Sequence, residues 1–173
     1  MTIFNFHQRY RGGIMMCRSK ILIRLLSISL VFAMMPAVGV SATTGNLAVT
    51  IDTGVTVTLK DRDGDGYYDI GIADELYAFA AAVNSGNPGI NGELTADITI
   101  NENVLNSDGT PNMALFRDWM PIGYYSSEED KVLFNGAFEG NRRTIHGVYI
   151  TFGKGDYIGL FGAVGKNASI RNV

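Results

Sequence analysis

The hydrophobic period changes several times along the chain, and each change marks a change of element. Between Thr43 and Lys60, Val49, Ile51, Val55, Val57 and Leu59 alternate with polar or small residues, with a break near Gly54. A period of two sends alternate side chains to opposite faces of a strand, so this stretch predicts one or two strands. Asp61–Gly66 reads as a Gly/Asp turn, and Tyr67–Ile72 as a short strand leading out of it. The period then lengthens. Leu76, Tyr77, Phe79, Ala80 and Val83 fall at helical spacing in an Ala-rich stretch without Gly or Pro, which predicts a helix over Asp74–Asn84. Asp74 is the expected N-cap and Asn84-Ser85-Gly86 the expected stop. Beyond Gly86 the β runs are short: Leu94–Ile100, Val132–Phe134, Thr144–Thr151, Tyr157–Phe161 and Ser169–Val173, separated by Gly and Asn.

The first forty residues follow another logic. Arg18, Lys20 and Arg24 lead into the apolar stretch Ile21–Val40, and Val40-Ser41-Ala42 ends it in small residues. A basic start, an apolar middle and a small-residue exit describe a secretory signal peptide over residues 1–42, with cleavage after Ala42. An uncleaved membrane anchor is the rival reading, which Pro36 and the small-residue exit disfavour. The domain plan is then signal peptide 1–42, an N-terminal β segment with its acidic turn 43–66, and an incomplete β-helix 67–173.

The β-helix expectation comes from a repeat. Thr144-Ile-His-Gly-Val148 aligns with Ser169-Ile-Arg-Asn-Val173 at an offset of 25, and Gly136-Ala-Phe-Glu-Gly140 precedes the first as Gly159-Leu-Phe-Gly162 precedes the second. Periods in the twenties with short strands suggest a solenoid, with Ile145 stacked over Ile170 and Val148 over Val173. The expected fold is mostly β: a right-handed parallel β-helix with an N-terminal capping helix, a β-sandwich being the alternative. The terminal strand lacks a cap, so the chain is expected to be the N-terminal part of a longer protein.

Several motifs carry a family resemblance. Gly159-Leu-Phe-Gly162 followed by Ile170-Arg-Asn-Val173 resembles the GLUG-motif repeat of bacterial surface proteins. Asp74–Gly86, Leu94–Ile100, Trp119-Met-Pro-Ile-Gly123 and Phe138–Gly147 are similar to segments that precede it in that family, in the same order. The resemblance implies a parallel β-helix on a secreted or surface-attached, adhesin-like protein, with no enzyme site in this region.

Charge sharpens the picture. The 173 residues carry 14 basic and 17 acidic side chains, yet five of the basic ones precede residue 43 and no acid does. The remainder is strongly acidic, which argues against nucleic acid as a partner because phosphate contacts need Lys and Arg. The one Cys, Cys17, lies within the signal, so a disulfide framework and a Cys-based zinc site are excluded.

One cluster suggests a metal. Asp61, Asp63, Asp65 and Asp69 occupy positions 1, 3, 5 and 9 of an EF-hand-type loop, with Gly66 at the sharp turn, and calcium wants such hard oxygen ligands. Position 12, where a Glu would close the site, is Ile72, and an acidic turn between strands is the plainer alternative. No other cofactor is expected. His146 alternates with Ile145 and should face outward. The tract Gly153–Gly165 fails the phosphate-loop patterns, since Asn167 follows Lys166. Trp119, Tyr124, Tyr125 and Phe116 suit either sugar stacking or packing against the fold. The combined expectation is a non-catalytic adhesin-like scaffold, secreted or on the cell surface and free of the membrane after cleavage. Its partner would be a host or cell-wall glycan or a protein. A β-helix polysaccharide lyase or hydrolase is the competing class.

Overall fold

The computed structural model describes residues 40–43, 45–151 and 157–173. The expected signal peptide lies outside these residues except for Val40–Ala42, and so does part of the Gly153–Gly165 tract. Eleven strands and one α-helix are described: β1 (Val40–Thr43), β2 (Asn46–Thr50), β3 (Thr56–Lys60), β4 (Tyr68–Ile70), α1 (Ala73–Asn84), β5 (Gly92–Leu94), β6 (Ile98–Thr99), β7 (Tyr124–Tyr125), β8 (Lys131–Val132), β9 (Ala137–Glu139), β10 (Ile145–His146) and β11 (Ser169–Arg171).

The main sheet has seven strands in the order β1-β2-β3-β4-β5-β9-β11. Its two halves are built differently. β1/β2, β2/β3 and β3/β4 are antiparallel. The connections around Gly45, Ile51–Val55 and Asp61–Tyr67 are short, and short connections can join only antiparallel neighbours. β4/β5, β5/β9 and β9/β11 are parallel. Each of these pairs needs a crossover, and α1 supplies the first.

This mixed sheet corrects the parallel β-helix expected from the sequence. The expected ladder of Ile145 over Ile170 is also absent. Ile145 pairs with Ile98 in the small parallel sheet β6/β10, whereas Ile170 pairs with Phe138. Tyr68, Gly92, Phe138 and Ile170 stand in one row across the strands, at sequence separations of 24, 46 and 32. Those unequal separations show why a local 25-residue match misleads: loops of very different length lie between strands that become neighbours.

The helix is likewise not an end cap. It crosses from β4 to β5 and packs against β2, β3 and β4. Leu76, Ala78, Phe79, Ala82 and Val83 are fully buried, and Tyr77 nearly so. A helix buried on this many sides lies within the core rather than over its edge. Leu47, Val49, Leu59, Ile70, Leu94 and Phe138 cover the inner sheet face beneath it. Phe79 meets Phe134 and Phe138 edge-on at ring separations of 6.1 and 5.6 Å, which are attractive aromatic geometries. Gly92 makes room for this, because a Cβ there would lie 2.7 Å from the Phe79 ring.

The helix begins one residue earlier than expected. Its N-cap is Ile72, which offers no side-chain bond, and Asp74 lies in the first turn instead. Glu75 reaches back past the helix start and accepts the Gly71 amide at 2.8 Å, which fixes the chain as it enters the helix. At the other end the Ser85 amide donates back to Ala81 and Ala82, and Gly86 adopts φ of 109°. None of the helices among the described residues is long and apolar enough to cross a membrane.

Candidate functional site

The acidic turn is built by its own carboxylates. Asp61 accepts the Gly64 amide at 2.7 Å on one oxygen and the Gly66 amide at 3.0 Å on the other. Asp63 accepts from the Asp65 amide, and Asp65 accepts from the Tyr67 amide at 2.8 Å. Such side-chain-to-backbone bonds explain why Asp recurs here, and Gly64 and Gly66 supply the positive φ that the bends require. One carboxylate oxygen from each of Asp61, Asp63 and Asp65 lies within 4.8 Å of the others.

The fourth predicted ligand goes elsewhere. Asp69 sits in β4, accepts the Arg62 amide at 2.8 Å and pairs with the Arg62 guanidinium at 3.5 Å. Ile72, at the closing position, is exposed. The turn therefore gathers three monodentate carboxylates, against the roughly six to eight oxygens a calcium ion takes. The hard-oxygen chemistry fits calcium, and water would have to supply much of the shell.

Two arginine clusters hold this turn and the helix in place. In the first, Arg62 bridges Asp69 and Glu75, its Nη2 donating to Glu75 at 2.9 Å. The hydrogen bond to Glu75, with Coulomb attraction from both acids, holds the guanidinium above its ordinary pKa despite some burial. In the second, Arg117 donates to Asp74 at 2.6 Å and to Asp52 at 2.7 Å, and its guanidinium lies 3.4 Å from the centre of the Tyr77 ring. Burial pulls Arg117 down, but the Asp52 and Asp74 bonds outweigh it and leave its pKa raised. Burial pushes the Tyr77 phenol up to about 12, with the Arg117 charge pulling the other way. The Tyr77 hydroxyl donates to the Arg117 carbonyl.

The outward face of the main sheet is polar and in register. Lys60, Asp69, Glu93, Glu139 and Arg171 form one row across β3, β4, β5, β9 and β11. Asn141 ties this row together. Its amide nitrogen donates to Glu93 at 2.9 Å and to the Leu94 carbonyl, and its backbone N–H donates to Glu139. The Asn172 amide also donates to Glu139 at 2.8 Å, and these two bonds hold the Glu139 carboxyl below its ordinary value. Asn141 sits at positive φ, and Gly140 beside it is needed because a Cβ there would lie 2.2 Å from the Asn172 carbonyl oxygen.

Two open clefts flank Tyr67, one among the connections at the strand ends and one on this face. One, of about 290 Å³, runs between the acidic turn and Asn91; the other, of about 180 Å³, is lined by Tyr67, Ala137, Glu139, Ser169 and Arg171. Of the other predicted candidates, Trp119 is fully buried, stacks edge-on with Tyr77 and donates its indole N–H to the Leu160 carbonyl. It packs in the core rather than offering a sugar platform. His146 is exposed in β10. Arg62, Arg117, Glu93 and Glu139 were not singled out by the sequence. The alternation in Gly92-Glu93-Leu94 and Ala137-Phe138-Glu139 could have placed the two glutamates outward, but only the strand pairing puts them side by side.

No family model matches the chain, and no solved structure matches it. A curated protein of Evansella cellulosilytica described as a "Putative Gly-rich membrane protein" is 40% identical over 55 residues, which is 32% of this chain and 6% of that protein. The chain is thus similar over one segment to a small part of a much longer bacterial protein.

Proposed function

We propose that this chain belongs to a secreted or cell-surface protein and acts as a non-catalytic, adhesin-like module that binds or displays a ligand on its lateral sheet face. The observation that carries this reading is the in-register polar row Lys60–Asp69–Glu93–Glu139–Arg171, whose Glu93 and Glu139 are fixed by Asn141 and Asn172 and whose Glu139 and Arg171 line a cleft beside Tyr67. The two glutamates, held in this way, give up little conformational entropy when a ligand arrives. The resemblance to GLUG-motif surface proteins supports the location, as does the partial similarity to a protein named for a membrane. The ligand is a host or cell-wall glycan or a protein. Calcium at Asp61, Asp63 and Asp65 is the metal part of the reading. Heat on titrating Ca²⁺ into the protein supports it, and no heat at about millimolar Ca²⁺ removes it.

The location is tested by antibody labelling of intact producing cells together with assay of their medium. The reading predicts signal on intact cells or in the medium, and signal only after lysis contradicts it. Turnover in a polysaccharide-depolymerisation screen would contradict its non-catalytic part.

A further inference from the structure

The cleft on the outward face and the cleft at the strand ends share one residue, Tyr67. Its backbone is pinned by the Asp65 carboxylate, which accepts the Tyr67 amide at 2.8 Å, so the ring stands on a fixed base. Small residues surround it: Gly66 on one side, Ala137 and Ser169 on the other. Around the second cleft four polar groups have no hydrogen-bond partner among the described residues: the Tyr67 and Ser169 hydroxyls, the Oε2 of Glu139 and the Arg171 guanidinium. The set combines an amphipathic ring with donors and an acceptor at its edge. A pyranose has the matching character, with an apolar C–H face and a rim of hydroxyls. A carboxylate and a guanidinium can accept from and donate to neighbouring sugar hydroxyls.

Charge narrows the class. The charged residues lining the two clefts are two acids, Asp61 and Glu139, and one base, Arg171. A lining with this small acidic balance offers a polyanion such as a polyuronate no net attraction. We infer that Tyr67 and its two clefts form a subsite for a neutral oligosaccharide, with the Tyr67 ring as stacking platform and Ser169, Glu139 and Arg171 as hydrogen-bonding rim. This rests on the ligand-binding reading above and names its ligand class.

The test is saturation-transfer NMR on the full chain with cellohexaose, mannohexaose and N-acetylchitohexaose, and with hexagalacturonate as the anionic control. The inference predicts that at least one neutral hexasaccharide binds at about 10 mM or below, that Tyr67→Ala weakens it about three- to tenfold, and that Tyr67→Phe keeps most of the affinity. Arg171→Ala weakens it less. Thermal melts of the variants, expected to match the parent protein, keep a loss of binding from being a loss of fold. Absence of binding by all three neutral sugars, tighter binding of hexagalacturonate, or equal binding by Tyr67→Ala overturns the subsite. If one of these results comes with labelling of intact cells, the subsite falls and the surface reading stands. Labelling confined to lysed cells brings down the surface reading itself.

Discussion

The two arginine clusters are near mirror images in their burial, and the difference shows what each contributes. Around Arg62 the acids are the buried partners: the side chains of Asp69 and Glu75 are 11% exposed, whereas Arg62 is 49% exposed. Around Arg117 the cation is the buried partner: Arg117 is 20% exposed, and Asp52 and Asp74 are 58% and 48% exposed. Losing a buried charge's partner leaves that charge poorly solvated, whereas an exposed charge that loses its partner turns to water. Arg62 therefore keeps two buried carboxylates satisfied. Arg117 matters more for what its own body covers, since it lies over the Tyr77 ring and joins the β2–β3 connection, the start of α1 and the segment before Trp119.

The largest effect should follow from Arg62→Met. It strands Asp69 and Glu75 without their cation, although each keeps a backbone donor, Arg62 N–H and Gly71 N–H respectively. We expect a loss of about 2–3 kcal/mol in denaturant unfolding, below the value for a fully buried pair because Arg62 itself is half in water. A loss under about 0.5 kcal/mol would break the comparison.

Next in size is an alkaline effect centred on Tyr77. Its folded pKa of about 12 lies above the ordinary 10, so the unfolded chain releases this proton first as pH rises. Stability from this group is fully present below about pH 10 and falls as pH climbs toward 12, by about 2 kcal/mol in all. Melting curves across that range should show the fall, and Tyr77→Phe should lessen it, the remainder coming from Tyr124, raised by burial, and Tyr125, raised by its bond to Glu128.

Arg117→Met comes third. It removes two ion pairs whose acids can hydrate and one contact between cation and ring, for an expected loss of about 1–2 kcal/mol. Asp52→Asn is smallest, at under about 0.5 kcal/mol, because its carboxylate is the most exposed member of either cluster. If Asp52→Asn proved as damaging as Arg62→Met, burial would not be what separates the two clusters.

How far the sequence could be read divides along the same line as the sheet. The antiparallel half was legible apart from β1, whose residues Val40–Thr43 the sequence reads as the small-residue exit of the signal and the start of the next segment. The alternation of Val49, Val57 and Leu59 and the Gly/Asp turn gave strands and connections that the fold contains. The helix was legible to within one residue, although its cap was not: Asp74 is drawn to Arg117, a partner 43 positions away. In the parallel half β11 was legible as a strand within Ser169–Val173, but β9, most of β5 and the pairings were not. β5, β9 and β11 are three residues each, and their pairing depends on long loops that a local repeat cannot reveal. The metal candidates show the same divide. Asp61, Asp63 and Asp65 come together through bonds to amides two to five residues away, while Asp69 was lost to a strand and to Arg62.

The polar face, the clefts and the assignment of Tyr67 all depend on β9 and β11 being neighbours in the stated register. Paired cysteines test this directly, in a background carrying Cys17→Ser. Ala137 and Ser169 are register partners, so Ala137→Cys with Ser169→Cys should cross-link readily under mild oxidation, the strands lying about 4.8 Å apart. Ile145→Cys with Ile170→Cys, the pair a 25-residue repeat would stack, should stay reduced. Cross-linking of the second pair without the first would contradict the fold and the face built on it.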